Sequence, residues 1–138
     1  MSETILVPFD GSKYSNKALR EAVSMSKKSG AALVILSVVD ITDEFEAQAP
    51  GLTDKLTIKT KKLLDKVADK IASMNIKVMK EVHIGDPYEI IVTMAKKKKA
   101  DLIVMGSHGR TGITRLLMGS VAARVIGHAP CNVLVVKT

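Results

Sequence analysis

Leu102-Ile103-Val104-Met105-Gly106-Ser107-His108-Gly109-Arg110-Thr111-Gly112 is an apolar run that breaks into a polar loop punctuated by glycine. Large apolar residues in a row, with no polar alternation, read as a strand covered on both faces, the condition of a strand inside a parallel sheet. Three more runs share this character: Ile5-Leu6-Val7, Leu33-Val34-Ile35-Leu36 continued by Val38-Val39, and Val133-Leu134-Val135-Val136. Between them the apolar spacing becomes helical. Across 12–29, Ala18, Leu19, Ala22, Val23 and Ser26 share a face, and Gly30 is the stop. Leu52, Leu56, Leu63, Val67 and Ile71 give a second helical stripe, with Lys55, Lys59, Lys62, Lys66 and Lys70 largely on other faces.

Ile76, Val78, Val82 and Ile84 alternate with Lys77, Met79, Glu81 and His83, so this strand has one wet face and belongs at an edge. Asp86-Pro87-Tyr88-Glu89 supplies a cap, a proline in the first helical position and a glutamate three after the cap. A third helix starts there, with Ile90, Ile91, Met94 and Ala95 inward. A fourth, over 120–127, turns Val121, Ala122, Val125 and Ile126 inward, and His128-Ala129-Pro130 ends it. The order βαβαβαβαβ implies right-handed parallel crossovers, hence an α/β fold with an open sheet and helices on both faces. Asp40 to Gly51 is the one long irregular segment, expected to be mobile or a lid.

Length and composition bound the rest. The 138 residues, 46% of them apolar, fill one core and are too few for two typical domains, so 1–138 reads as a single domain. A formal net charge of +7 draws anions without saying which. One cysteine, Cys131, excludes an internal disulfide framework and a cysteine-rich zinc site, and three scattered histidines leave little for a metal cluster. The expected compartment is a reducing cytoplasm. No apolar run approaches the roughly 18 residues that span a bilayer, so no membrane role is expected, and the first residues lack the layout of a signal peptide.

In open parallel sheets ligands sit beyond the carboxyl ends of the strands, where strand order reverses. Pro8-Phe9-Asp10-Gly11-Ser12, Val38-Val39-Asp40 and the loop 106–112 all fall there. Glycines three apart are expected to adopt positive φ and turn successive N–H groups toward one anion. Gly119-Ser120 opens the next helix, whose first N–H groups carry partial positive charge. These features suit a polyphosphate. Neither Gly-x-x-x-x-Gly-Lys-Ser/Thr nor a Gly-x-Gly-x-x-Gly after the first strand is present, so P-loop and dinucleotide readings fall away.

The spacing Gly106-x-x-Gly109, nine residues, then Gly119-Ser120 resembles the ATP-binding motif of the universal stress protein family. Residues 5–12, Gly85-Asp86-Pro87 and the closing segment 128–136 are also similar to that family, so the resemblance spans essentially the whole chain. It implies a five-stranded parallel sheet in the order 3-2-1-4-5, of the adenine nucleotide alpha-hydrolase-like kind, and a bound ATP. By position, Pro8, Phe9 and Asp10 would lie beside the adenosine and phosphates, with Val38 against the base. Gly106, Ser107, His108, Gly109, Arg110, Thr111 and Gly112 would wrap the phosphates, completed by Gly119, Ser120 and Val121.

Single residues leave choices open. Asp10 either holds Mg²⁺ or Mn²⁺ against the phosphates or caps the first helix with Ser12. Arg110 either pairs with the γ-phosphate or is solvated, with contact favoured. His108 has no visible acid/base partner at fixed spacing, so a positional role is favoured. Cys131 reads as a small core residue, and Lys96 to Lys99 as a solvated helix end. The leading function is a nucleotide-dependent regulatory switch in the stress response, acting on an unidentified protein partner. The alternative is a slow Mg²⁺- or Mn²⁺-dependent ATPase or phosphotransferase. Two tyrosines, two phenylalanines and no tryptophan leave few stacking platforms, which disfavours nucleic acid. The last strand carries no charge or proline to discourage pairing and reads as covered on both faces, so a homodimer through it is expected, as the resemblance also implies.

Overall fold

The computed structural model describes residues 3–40, 49–109 and 118–137. Among the described residues nine elements alternate: β1 (Thr4–Pro8), α1 (Lys13–Ser29), β2 (Ala32–Val39), α2 (Leu52–Ala72), β3 (Val78–Ile84), α3 (Pro87–Lys97), β4 (Leu102–Gly106), α4 (Ser120–His128) and β5 (Asn132–Val136). All strand pairs are parallel, and the five form one sheet in the order β3-β2-β1-β4-β5. The open α/β sheet expected from the strand and helix periodicities, and the strand order that the family resemblance implies, are therefore those observed. Of the irregular segment 40–51, residues 41–48 lie outside the described part; Ala49 to Gly51 form the turn into α2.

The uninterrupted apolar runs have a simple cause. Because side chains alternate across a strand, Val7, Leu33, Ile35 and Val104 enter one layer with Leu64 and Ile71 of α2, while Leu6, Val34 and Ile103 enter the other with Met94 of α3 and Val125 of α4. Both faces are buried, so both sets of positions must be apolar. Helix α1 starts where Ser12 Oγ accepts the Ser15 N–H at 3.2 Å. It ends at Gly30, left-handed at φ 79°, whose N–H returns to the Ser26 carbonyl at 2.8 Å.

Four sequence expectations need correction. The buried face of α2 is Thr53, Leu64, Ala68 and Ile71, whereas Leu63 is 36% exposed and Leu56 only half-buried. A crossover helix begins at the carboxyl edge of the sheet, and there Leu56 and Leu63 line the cleft instead of entering the core. On β3, Val78 and Val82 pack inward as expected, but Ile84, the last residue of the strand, is 47% exposed. On α4, Ala122 and Val125 are buried while Ile126 is 47% exposed. Lastly, β5 is not covered on both faces: Val133 and Val135 pack toward the α3/α4 layer, Val136 is buried, and Leu134, on the face opposite Val133 and Val135, is 39% exposed. Cys131 is half-buried on the same layer, and its thiol is pushed up from its usual pKa by burial and by the charge of Asp101. Among the described residues no helix is long and apolar enough to cross a membrane.

Candidate functional site

A cleft of 750 Å³ opens at the carboxyl ends of β1, β2 and β4, where strand order reverses. Its floor is the end of β1. There the Phe9 N–H donates to the Leu36 carbonyl at 2.8 Å, and the Phe9 carbonyl accepts the Ser37 hydroxyl at 2.6 Å. Asp10 follows. Its Oδ1 accepts the Ser12 N–H at 2.9 Å, and its own N–H donates to Ser15 Oγ at 3.3 Å. Gly11 between them is left-handed at φ 82°, which lets the chain double back into the first turn of α1. The carboxylate of Asp10 is thereby locked beside the start of α1 and turned toward the β4 loop, since a Cβ at Gly109 would lie 3.3 Å from Asp10 Oδ2.

The glycines of the motif act through space and not through the positive φ expected of them. Gly106, Gly109 and Gly119 are all outside the left-handed region. A Cβ on Gly106 would fall 2.7 Å from Tyr14 Cβ and 2.8 Å from the Tyr14 carbonyl carbon, so this glycine lets α1 close onto β4. A Cβ on Gly119 would fall 3.0 Å from the Ser107 carbonyl oxygen and 3.2 Å from His108 Cα. At Gly119 the chain comes back onto the β4 loop, its N–H donating to the Ser107 carbonyl at 2.8 Å. That return sets the first turn of α4, which has no side-chain cap, against the cleft. Its opening N–H groups are a ready anion site.

Ser107 is buried, its N–H donates to the Val136 carbonyl at 3.0 Å, and its hydroxyl is hydrogen-bonded to His108 Nδ1 at 2.9 Å. The Tyr14 ring lies 5.2 Å from the imidazole, so His108 is held from two sides. The cleft thus brings together Pro8, Phe9, Asp10, Val38, Gly106, Ser107, His108, Gly109, Gly119, Ser120 and Val121. Arg110, Thr111 and Gly112 lie outside the described residues.

Sequence reading missed the side walls. Leu56, Lys59, Thr60 and Leu63 of α2 close one side, Pro87 and Ile91 of α3 the other, and Val38, Val39 and Asp40 lie between. The spacing 56, 59, 60, 63 is a helical stripe, but nothing local separates a stripe facing a cleft from one facing a core. On β2, the Leu36 carbonyl points toward β1 and the Val39 carbonyl toward β3, where it accepts the Gly85 N–H at 3.1 Å. By the alternation of the ladder, Val38 points its peptide groups to the β1 side, beyond the last paired residues Pro8 and Leu36. The walls are mostly apolar, with Lys59, Thr60 and Asp40 among them, and the strand end presents backbone polar groups, an arrangement that suits a flat heterocycle. Among the described residues no three His, Cys, Asp or Glu side chains form a metal cluster, so a cation at Asp10 would need oxygens from a ligand, the usual manner of Mg²⁺ beside phosphates.

Comparison with known proteins agrees with this geometry. The family model described as the universal stress protein family matches residues 1–137. A universal stress protein of Methanocaldococcus jannaschii is 40% identical over 137 residues, covering 96% of this chain and 81% of the relative. Among solved structures, universal stress protein UspA from Lactobacillus plantarum superposes with a TM-score of 0.86 at 31% identity, covering 97% of each chain. A universal stress protein solved in complex with cAMP superposes at 0.71 with 27% identity, covering 97% of this chain and 95% of its own. Sheet order, cleft, glycine spacing and whole-length similarity converge, and the chain belongs to the universal stress protein family.

Proposed function

We propose that the cleft binds ATP, with Mg²⁺ or Mn²⁺ at Asp10, and that occupancy switches the protein between states read by a cytoplasmic partner. The observation that carries this reading is the convergence of Asp10, the bare backbone of Gly109 and the uncapped start of α4 on one cavity. The base would lie between α2 and α3 against Val38, and the phosphates would run past Pro8 and Asp10 toward Ser107, His108, Gly119, Ser120 and Val121. Arg110, Thr111 and Gly112 would complete the phosphate wrap. A relative that holds an adenine nucleotide supports the ligand class. A cation bound between Asp10 and the phosphates would neutralise their charge. In this reading Ser107 and Tyr14 keep His108 oriented at the phosphate end.

Mass spectrometry of the denatured, purified protein is expected to release ATP, and calorimetry to rank ATP above AMP and cyclic AMP. Absence of any nucleotide, with no heat on titration of millimolar ATP, overturns the assignment. The competing ATPase reading rests on the Asp10 carboxylate facing the glycine loop. Phosphoryl transfer also needs a group that orients the attacking water. We expect turnover well below about 1 s⁻¹, and a faster rate without added partner would make the protein an enzyme. The exposed Leu134 on β5, the last strand in the sheet order, further supports a homodimer paired through that strand.

A further inference from the structure

Helix α2 carries Lys55, Lys59, Lys62, Lys66 and Lys70, all exposed. At roughly 100° per residue these five fall within an arc of about 80°, a single straight row about 22 Å long. Among the described residues no carboxylate forms an ion pair with any of them, although Asp65 of the same helix pairs with Lys80 at 2.6 Å. Beside the row stands Ile58, 55% exposed. Its neighbours at helical spacings of three and four residues are Lys55, Lys61 and Lys62, with Asp54 as the fourth. Like charges packed along one face repel one another and destabilise an isolated helix, and a large apolar residue among them gains nothing from solvent. Together they form a surface with a charged track and an apolar seat. Lys59 belongs both to this row and to the wall of the cleft, so a partner lying on the row reaches the mouth of the site.

We propose that the outer face of α2 docks an acidic protein segment, helical or extended, that lays carboxylates along the lysine row and an apolar side chain against Ile58. Charge complementarity selects the sign of the partner, and burial of Ile58 selects a polypeptide. A nucleic-acid duplex is the poorer occupant. The row is one helix face wide, Asp54, Asp65 and Asp69 flank it on one side, and it has no aromatic or arginine side chain for bases.

The test is fluorescence anisotropy on the intact protein with a labelled 20-residue glutamate peptide bearing leucine at every fourth position. An all-glutamate peptide, a 20-base-pair duplex and vesicles containing anionic lipid serve as competing occupants. The leucine-bearing peptide should bind most tightly, and the triple variant K55E/K62E/K66E should weaken it at least tenfold while leaving ATP affinity within twofold. Ile58→Asn should weaken the leucine-bearing peptide at least threefold and leave the all-glutamate peptide unchanged. Melting temperatures within a few degrees of the parent will show that the variants fold. Equal peptide affinity in the triple variant, or tighter binding of the duplex or the vesicles, overturns the proposal. Peptide binding that fails in a protein still able to bind ATP overturns it too, and leaves the nucleotide reading intact.

Discussion

At Gly106 there is no room for a side chain, because the first turn of α1 is pressed against the end of β4. Gly106→Ala should therefore cost stability, about 1–3 kcal/mol by urea unfolding, as an overpacked contact with backbone does. Gly109 differs. Its nearest obstacle is Asp10 Oδ2 at 3.3 Å, so Gly109→Val should leave the fold standing. In calorimetry it should lower ATP affinity at least tenfold, about 1.4 kcal/mol, by filling the space a phosphate needs and displacing the carboxylate. Undiminished affinity in that variant would argue against a phosphate site. On β3, the hydrogen bond with His83 and then that with Lys98 hold the Glu81 carboxyl below its ordinary value of 4.5 against partial burial. A depressed carboxylate adds stability that is complete above its unfolded value and fades as pH falls through the folded one. The stability gap between the parent and Glu81→Gln should accordingly be widest above about pH 5 and close on acidification. The residue types of the glycine loop were readable in sequence. Their physical reason was not, since steric room beside Tyr14, Asp10 and His108 depends on elements far apart in the chain.

Helix α2 shows the same limit for a whole element. Leu63 and Leu64 are neighbours of one residue type, yet Leu64 is 1% exposed on the sheet while Leu63 stands at the lip of the cleft. Leu64→Ala should cost about 2–5 kcal/mol, the usual range for a buried leucine. Leu63→Ala should cost under about 1 kcal/mol and instead lower ATP affinity, because it shortens the wall proposed to face the base. Chemical denaturation and calorimetry on the same two variants separate these outcomes. That a helix exists here is clear from its apolar and lysine spacing. Which leucine enters the core depends on how the helix lies across β2 and β3, which leaves Leu56 and Leu63 on the cleft. The cap of α3 makes a similar point: Asp86 precedes Pro87 as expected, but its side chain makes no cap hydrogen bond and instead lies 4.0 Å from Arg124 of α4.

For the molecule as a whole, the two edges of the sheet are unlike. The β3 edge carries Lys80 and Glu81, both ion-paired, which discourages another strand from adding there. The β5 edge presents the exposed Leu134, and no residue of that strand is charged. Sedimentation velocity at micromolar concentration should find a dimer, and Leu134→Lys should shift it toward monomer with ATP affinity retained. A parent protein that sediments as a monomer would exclude pairing through β5. By itself the sequence determined the order of elements, the parallel sheet and the three segments that meet at the strand ends. Burial on both faces leaves an unbroken apolar run, and capping chemistry is local. Only the tertiary structure decided that the glycines provide space without positive φ, that α2 walls the cleft, and that β5 is half uncovered. Each of these depends on the distance between surfaces remote in sequence, and no periodicity along one segment records it.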